Sequence, residues 1–186
     1  NLTYLDVYTS EFSGTIPVEF FLLTGLKRLG LCDNFFTGTL PTELGKLSDL
    51  EYLDLSENSF SGTLPTGLGQ FTLLSTLNLY KNSFMGSIPT EIGQLGRLGD
   101  LHLDLNRLTG RLPTELGLLT GLAQLFLQGN SLTGALPTEI GQLVGLAELD
   151  LKEFSFTGTL PTELAQLNLY YLYLSNNNFN GTIPTE

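Results

Sequence analysis

Every 24 residues this chain returns to a proline. The prolines stand at positions 17, 41, 65, 89, 113, 137, 161 and 184, so six of the seven intervals are 24 residues and the last is 23. The leucines keep the same beat. Leu50, Leu53, Leu55, Asn58, Phe60, Gly62, Leu64 and Pro65 recur as Leu74, Leu77, Leu79, Asn82, Phe84, Gly86, Ile88 and Pro89, and again as Leu98, Leu101, Leu103, Asn106, Leu108, Gly110, Leu112 and Pro113. A unit this short cannot enclose its own apolar side chains, so it buries them by stacking on copies of itself. Residues 1–186 therefore read as a single array of about seven to eight coils, a solenoid in one domain.

Alternation inside the unit assigns its parts. Segments 2–10, 26–34, 50–58, 74–82, 98–106, 122–130, 146–154 and 169–177 alternate leucine with polar or aromatic residues, the period of a strand buried on one face. Eight parallel strands at about 4.8 Å spacing make a sheet on the order of 34 Å long, room for a protein or an extended peptide. Phe12, Phe36, Phe60, Phe84, Phe156 and Phe179, with Leu108 and Leu132, form a column expected to stack inside. Asn34, Asn58, Asn82, Asn106, Asn130 and Asn177 form a second column. An amide donates and accepts, so this ladder suits the satisfaction of backbone groups where the chain leaves the sheet. The "PTELG" pieces predict short helical or 3-10 turns that pack Leu44, Leu47, Leu116 and Leu119 inward.

The frame L-x-x-L-x-L-x-x-N-x-[FL]-x-G-x-[IL]-P resembles the leucine-rich repeat over essentially the whole chain. Continuations such as "PTELGKLSDL", "PTEIGQLGRL" and "PTELGLLTGL" resemble the plant-type subclass, found in receptor-kinase ectodomains, polygalacturonase-inhibiting proteins and many algal proteins. The resemblance implies an α/β fold: a right-handed solenoid with a parallel concave β-sheet, short 3-10 or α turns on the convex side and a second, small sheet. It implies an extracellular or cell-surface location, with an organellar or intracellular assembly as the alternative. Secreted members carry paired cysteines in their end caps, whereas Cys32 is alone, so the chain reads as a fragment lacking both caps.

Three departures from the repeat stand out. Ser10 replaces the ladder Asn at the edge of the array, a mild change. Phe154 replaces it in the seventh coil and cannot make the amide's hydrogen bonds, which predicts a rebuilt or bulged turn over 153–155. The last coil loses a residue between Leu167 and Leu169, which predicts a local shift of curvature, or a neighbouring partner, at Tyr170, Tyr171 and Tyr173.

Charge narrows the partners. Nineteen Asp and Glu against eight Lys and Arg leave −11, which repels phosphate-bearing partners, so neither nucleic acid nor an anionic membrane is expected to bind. No apolar run approaches the ~20 residues of a membrane span, so no direct membrane insertion is expected. Catalysis needs convergent groups, and the one candidate is His102 between Asp100 and Asp104. Adjacent coils supply no clear nucleophile, and Cys32 lies about 14 Å away by strand spacing. The reading is therefore non-enzymatic, with no cofactor and no metal.

The outward strand positions carry the functional signal. Their central column reads Asp6, Gly30, Asp54, Asn78, His102, Phe126, Asp150, Tyr173 and does not repeat as the leucines do. All seven tyrosines lie in the strand segments, and ten acids lie there too, four of them offset by Lys27, Arg28, Lys81 and Lys152. Tyrosine gives a large rigid contact area with a polar tip, a feature of binding surfaces. The expected site is a central patch of Tyr52, Asp54, Asn78, Tyr80, His102, Asp104, Phe126, Gln128 and Asp150, extended by Tyr171 and Tyr173, that holds a protein or peptide with a basic patch. Receptor ectodomains and secreted inhibitors of the resembling subclass use this same face. The first alternative is a structural subunit of a larger assembly, docked by its edges or convex side through Phe154, Tyr170 and Tyr171. A lesser one is ice binding: threonines 15, 37, 39, 42, 63, 159 and 182 form outward ladders, interrupted by Met85, Arg111 and Ala135, similar to those of ice-binding solenoids.

Overall fold

The computed structural model describes residues 2–184. The coils stack into two eight-stranded parallel sheets with the leucine core between them. The concave sheet consists of Tyr4–Asp6, Arg28–Gly30, Tyr52–Asp54, Thr76–Asn78, Asp100–His102, Gln124–Phe126, Glu148–Asp150 and Tyr171–Tyr173. Neighbours pair one repeat apart, as in Tyr52 with Thr76 and Asn78 with His102. The second sheet runs from Ser13–Gly14 to Asn178–Phe179, and among the described residues seven 3-10 turns, such as Thr42–Lys46 and Thr114–Leu118, close the coils on the convex side. Each turn begins after the repeat proline, whose fixed φ suits the entry to a helical turn and whose missing N–H is not needed there. Leu44, Leu47, Leu116 and Leu119 are buried beneath these turns, as their spacing predicts.

Each concave strand is regular for only three residues of its nine-residue segment, but its hydrogen-bond ladder runs further. Leu31 N–H donates to Asp54 O at 2.8 Å and Asp33 N–H to Ser56 O at 3.0 Å. The chain then leaves the sheet through a residue with positive φ: Thr9, Asp33, Glu57, Lys81, Leu105, Gly129, Glu153 or Asn176. This left-handed step recurs just before the ladder position, where Gly129, Asp33 and Asn176 are of the residue types that adopt it most readily.

The ladder asparagines work as their chemistry predicts. Asn106 Nδ2 donates to Leu79 O, Leu103 O and Asp104 O at 2.9, 3.1 and 3.2 Å, while its Oδ1 accepts from Phe84 N–H at 3.0 Å. The bonds to Leu79 and Phe84 reach the preceding coil, so each amide fastens two coils together. Asn34, Asn58, Asn82, Asn130 and Asn177 repeat the scheme. Beneath them Phe12, Phe36, Phe60 and Phe84 stack at centroid spacings of 6.1 to 6.3 Å, and Phe156 stacks on Phe179 at 6.2 Å.

One expectation is corrected. Phe154 does not rebuild its turn: Glu153 keeps the left-handed φ of 63°, and the strand Ser155–Gly158 starts at the usual place. The ring instead turns inward, is only 7% exposed and lies 4.9 Å from the ring of Phe156, replacing the ladder's hydrogen bonds by apolar packing. A buried Phe154 is also unavailable as a docking contact. The shortened last coil keeps its register, with Glu148 opposite Tyr171 and Asp150 opposite Tyr173. The deletion is absorbed where Leu167 leaves its 3-10 turn extended (φ −86°, ψ 141°), in place of the φ −78°, ψ 49° of Leu47.

On the second sheet the threonine ladder has a packing role. A Cβ placed on Gly38, Gly62 or Gly86 would meet the methyl of Thr15, Thr39 or Thr63 at 2.8, 2.7 and 3.0 Å. Each threonine methyl therefore rests on the bare backbone of the next coil's glycine, which also holds a φ of 76° to 87° that other residues rarely adopt.

Candidate functional site

The register of the concave sheet brings residues 24 apart side by side, and on that grid the expected site residues fall into three groups. In the first, Arg28 links Asp6 and Tyr52: its Nε donates to Asp6 Oδ2 at 2.8 Å, and its guanidinium lies 3.6 Å from the centre of the Tyr52 ring. The Tyr52 hydroxyl donates to Asp54 Oδ2 at 3.1 Å, and Asp54 Oδ1 accepts from the N–H and hydroxyl of Ser56 at 3.0 and 2.6 Å. Asp54 is only 8% exposed, so its charge is spent inside the network rather than offered outward. Burial, with the Asp54 charge beside it, pushes the Tyr52 phenol up. The sequence reading missed Arg28 and Ser56, although Arg28 stands one period before Tyr52.

The third group is built the same way. Lys152 pairs with Asp150 at 2.8 Å and places its ammonium 5.1 Å from the centre of the Tyr173 ring, which stacks on Tyr171 at 6.2 Å. The Lys152 N–H also donates to Asp150 Oδ1, so both oxygens of this buried carboxylate are occupied. Tyr171 and Tyr173 remain exposed.

Between these closed groups lies an open one. Asn78, His102 and Phe126 in one column, with Tyr80, Asp104 and Gln128 in the next, line a hollow of about 290 Å³. His102 and Phe126 meet at a ring separation of 4.8 Å and a tilt of 47°. Asn78 Oδ1 caps the N–H of Tyr80, and Gln128 Nε2 donates to Asp104 Oδ2 at 3.1 Å. Asp104 Oδ1 and Gln128 Oε1 have no hydrogen-bond partner among the described residues and are closed to water. Burial pushes the Asp104 carboxyl up, against the pull of its own backbone N–H and of His102.

The ionic pattern of the face is equally uneven. Lys27, Arg28, Lys81 and Lys152 pair with Glu51, Asp6, Glu57 and Asp150. Asp33, Asp54, Asp100, Asp104, Glu148 and Glu153 have no cation partner among the described residues. The pairs of Lys27, Arg28 and Lys81 stand in solvent and add little stability, since solvent screens them, whereas the Lys152 pair ends on a buried carboxylate. No group of three His, Cys, Asp or Glu side chains among the described residues could hold a metal ion. No helix among them is long and apolar enough to cross a membrane.

Two parallel sheets and a 3-10 turn in a 24-residue coil define a solenoid of the leucine-rich-repeat class. Leucine-rich-repeat models match residues 24–84, 121–143 and 168–186, together more than half of the chain. A crystal structure of a TDR receptor superposes with a TM-score of 0.96 and 33% identity, covering 98% of this chain and 32% of the receptor chain. The plant peptide hormone receptor RGFR1, in complex with RGF2, gives 0.93 and 31%, covering 98% and 33%. A plant ice-binding protein gives 0.75 and 29%, covering 99% and 67%. No curated protein matches the chain. The protein belongs to the leucine-rich-repeat family in its plant-type form; it spans about a third of the length of the two receptors it resembles.

Proposed function

We propose that the chain is a non-catalytic recognition scaffold that holds a basic protein or peptide along its concave sheet, in an extracellular or cell-surface setting. The observation that carries this is the hollow lined by Asn78, Tyr80, His102, Asp104, Phe126 and Gln128, where two buried oxygens have no donor among the described residues. Uncompensated carboxylates surround it: Asp100 and Glu148 lie on its approach in register with Gln124, and Glu153 is exposed beyond them. A field of one sign on a curved sheet favours encounter with a cationic partner more than it adds affinity at contact. The likeness to a plant peptide hormone receptor supports a peptide as the occupant.

Titration of a hexalysine peptide tests this reading. Asp100→Asn with Glu148→Gln and Glu153→Gln should weaken binding on the order of tenfold at low ionic strength and flatten its salt dependence. Unchanged affinity and unchanged salt dependence in the triple variant would refute it.

Ice binding is the second reading, favoured by the exposed Thr15, Thr39, Thr63 and Thr159 and by the likeness to the plant ice-binding protein. Exposed Met85, Arg107 and Arg111 interrupt the hydroxyl columns in the middle coils, and the threonine methyls already have their packing role. Thermal hysteresis of the purified chain decides it; a freezing-point gap above that of an equal concentration of serum albumin would support the hydroxyl face.

A further inference from the structure

We infer that the hollow at Asp104 and Gln128 is a subsite for a single arginine side chain of the partner. The inference rests on the concave face being a recognition surface and adds which chemical group it selects. Three carboxylates of this sheet are buried: Asp54, Asp104 and Asp150. Asp54 has donors on both oxygens, from Tyr52 and Ser56, and so does Asp150, from Lys152. Asp104 differs. One oxygen takes the Gln128 amide, and the other, at a residue only 6% exposed, has no donor. The carbonyl oxygen of Gln128 is equally without one.

A buried acceptor left unpaired is costly, and two in adjacent side chains that touch the same hollow form an acceptor pair without a donor. The group that completes it must bring at least two N–H donors and a positive charge. A guanidinium does so in one plane, with its donors set in a fork that matches a carboxylate and a neighbouring carbonyl, whereas an ammonium offers a point charge without that spacing. The walls agree with the floor. His102 and Phe126 bring two touching rings to the hollow, against which a flat cation stacks, and Tyr80 and Asn78 complete its lining. Gln128 is half-buried and bonds to the carboxylate, so a guanidinium reaches the two closed-off oxygens by displacing its flexible side chain and taking over the donor role of its amide. A phosphate or carboxylate ligand is excluded by the same groups, since it would face two acceptors.

The test uses the full chain and three capped tripeptide amides, acetyl-Gly-X-Gly, with X as arginine, lysine or citrulline. Binding is followed by calorimetry and by the NMR signals of the His102 ring. The arginine peptide should bind on the order of tenfold more tightly than the lysine one, shift the His102 signals, and outbind neutral citrulline by more. Asp104→Asn should reduce arginine binding at least tenfold, and Phe126→Leu should reduce it with the carboxylate intact, so the result does not hang on one variant. Equal binding of the arginine and lysine peptides, no saturable binding of the arginine peptide, or wild-type affinity in Asp104→Asn would overturn the subsite. If hexalysine still loses affinity in the Asp100, Glu148 and Glu153 triple variant, the wider recognition reading survives that failure. If hexalysine is indifferent to the triple variant, both fall together.

Discussion

Asn106→Ala is expected to destabilise the array by about 3 kcal/mol, because it strands several buried backbone groups at once. The Asn106 amide is 8% exposed, donates to three carbonyls and accepts from Phe84 N–H. Alanine keeps the left-handed step at Leu105 possible but leaves Leu79 O and Phe84 N–H, both in the preceding coil, without their link. The loss therefore falls on the contact between coils more than on the coil itself. In a solenoid that contact is where cooperativity resides, so urea unfolding should show a lower midpoint and a shallower transition. Asn177→Ala provides the internal comparison: its amide bonds to Leu151 O and Leu174 O in the same way but is less deeply buried, so water can take over part of its role. It should cost less than half as much. Equal costs at the two sites, or a cost at Asn106 below 1 kcal/mol, would mean that solvent reaches the ladder and that the amides are not the fasteners.

What the sequence disclosed and what it withheld divide along one physical line. Features set by the repeat were legible because each is stated at least six times over: the leucine core, the phenylalanine spine, the amide ladder, the 3-10 turns after proline. Which outward residues lie beside one another was also legible, since the period makes neighbours of residues 24 apart; Asn78, His102 and Phe126 follow directly from it. What those neighbours do to each other was not. Asp54 and Asp104 look alike as outward acids on a strand, yet Tyr52 and Ser56 close the first, while Asp104 keeps an oxygen without a donor. That difference depends on rotamers and on single partners such as Arg28 and Lys152, which no periodicity encodes. Phe154 shows the converse error. Judged by what it cannot bond, it predicts a broken turn; in place, its ring reaches Phe156, and the neighbouring coils hold the backbone to the common path.

The convex side carries a second large effect, one that concerns space rather than hydrogen bonds. Gly117→Ala should destabilise the chain by about 2 to 3 kcal/mol, because the added methyl has no way out. A Cβ at Gly117 would stand 2.5 Å from Glu139 O and 2.8 Å from Glu139 Cβ, both fixed parts of the next coil. Gly93 meets Glu115 O at 2.5 Å and Gly141 meets Glu163 O at 2.8 Å, so the repeated glycine sets how closely the 3-10 turns stack. Opening one such step spreads two coils on the convex side while the sheet and its amide ladder hold them together on the other, which changes local curvature. The consequence reaches the recognition face: Gly117 belongs to the coil that leads into the strand Gln124–Phe126, and Phe126 forms one wall of the hollow. Gly96→Ala is the control, since no atom lies within 4 Å of its added Cβ, and it should leave stability within about 0.5 kcal/mol of the parent. Thermal unfolding separates the two cases. A Gly117→Ala chain as stable as Gly96→Ala would show that the coils slide apart freely, and that the spacing of the concave columns is not governed from the opposite side.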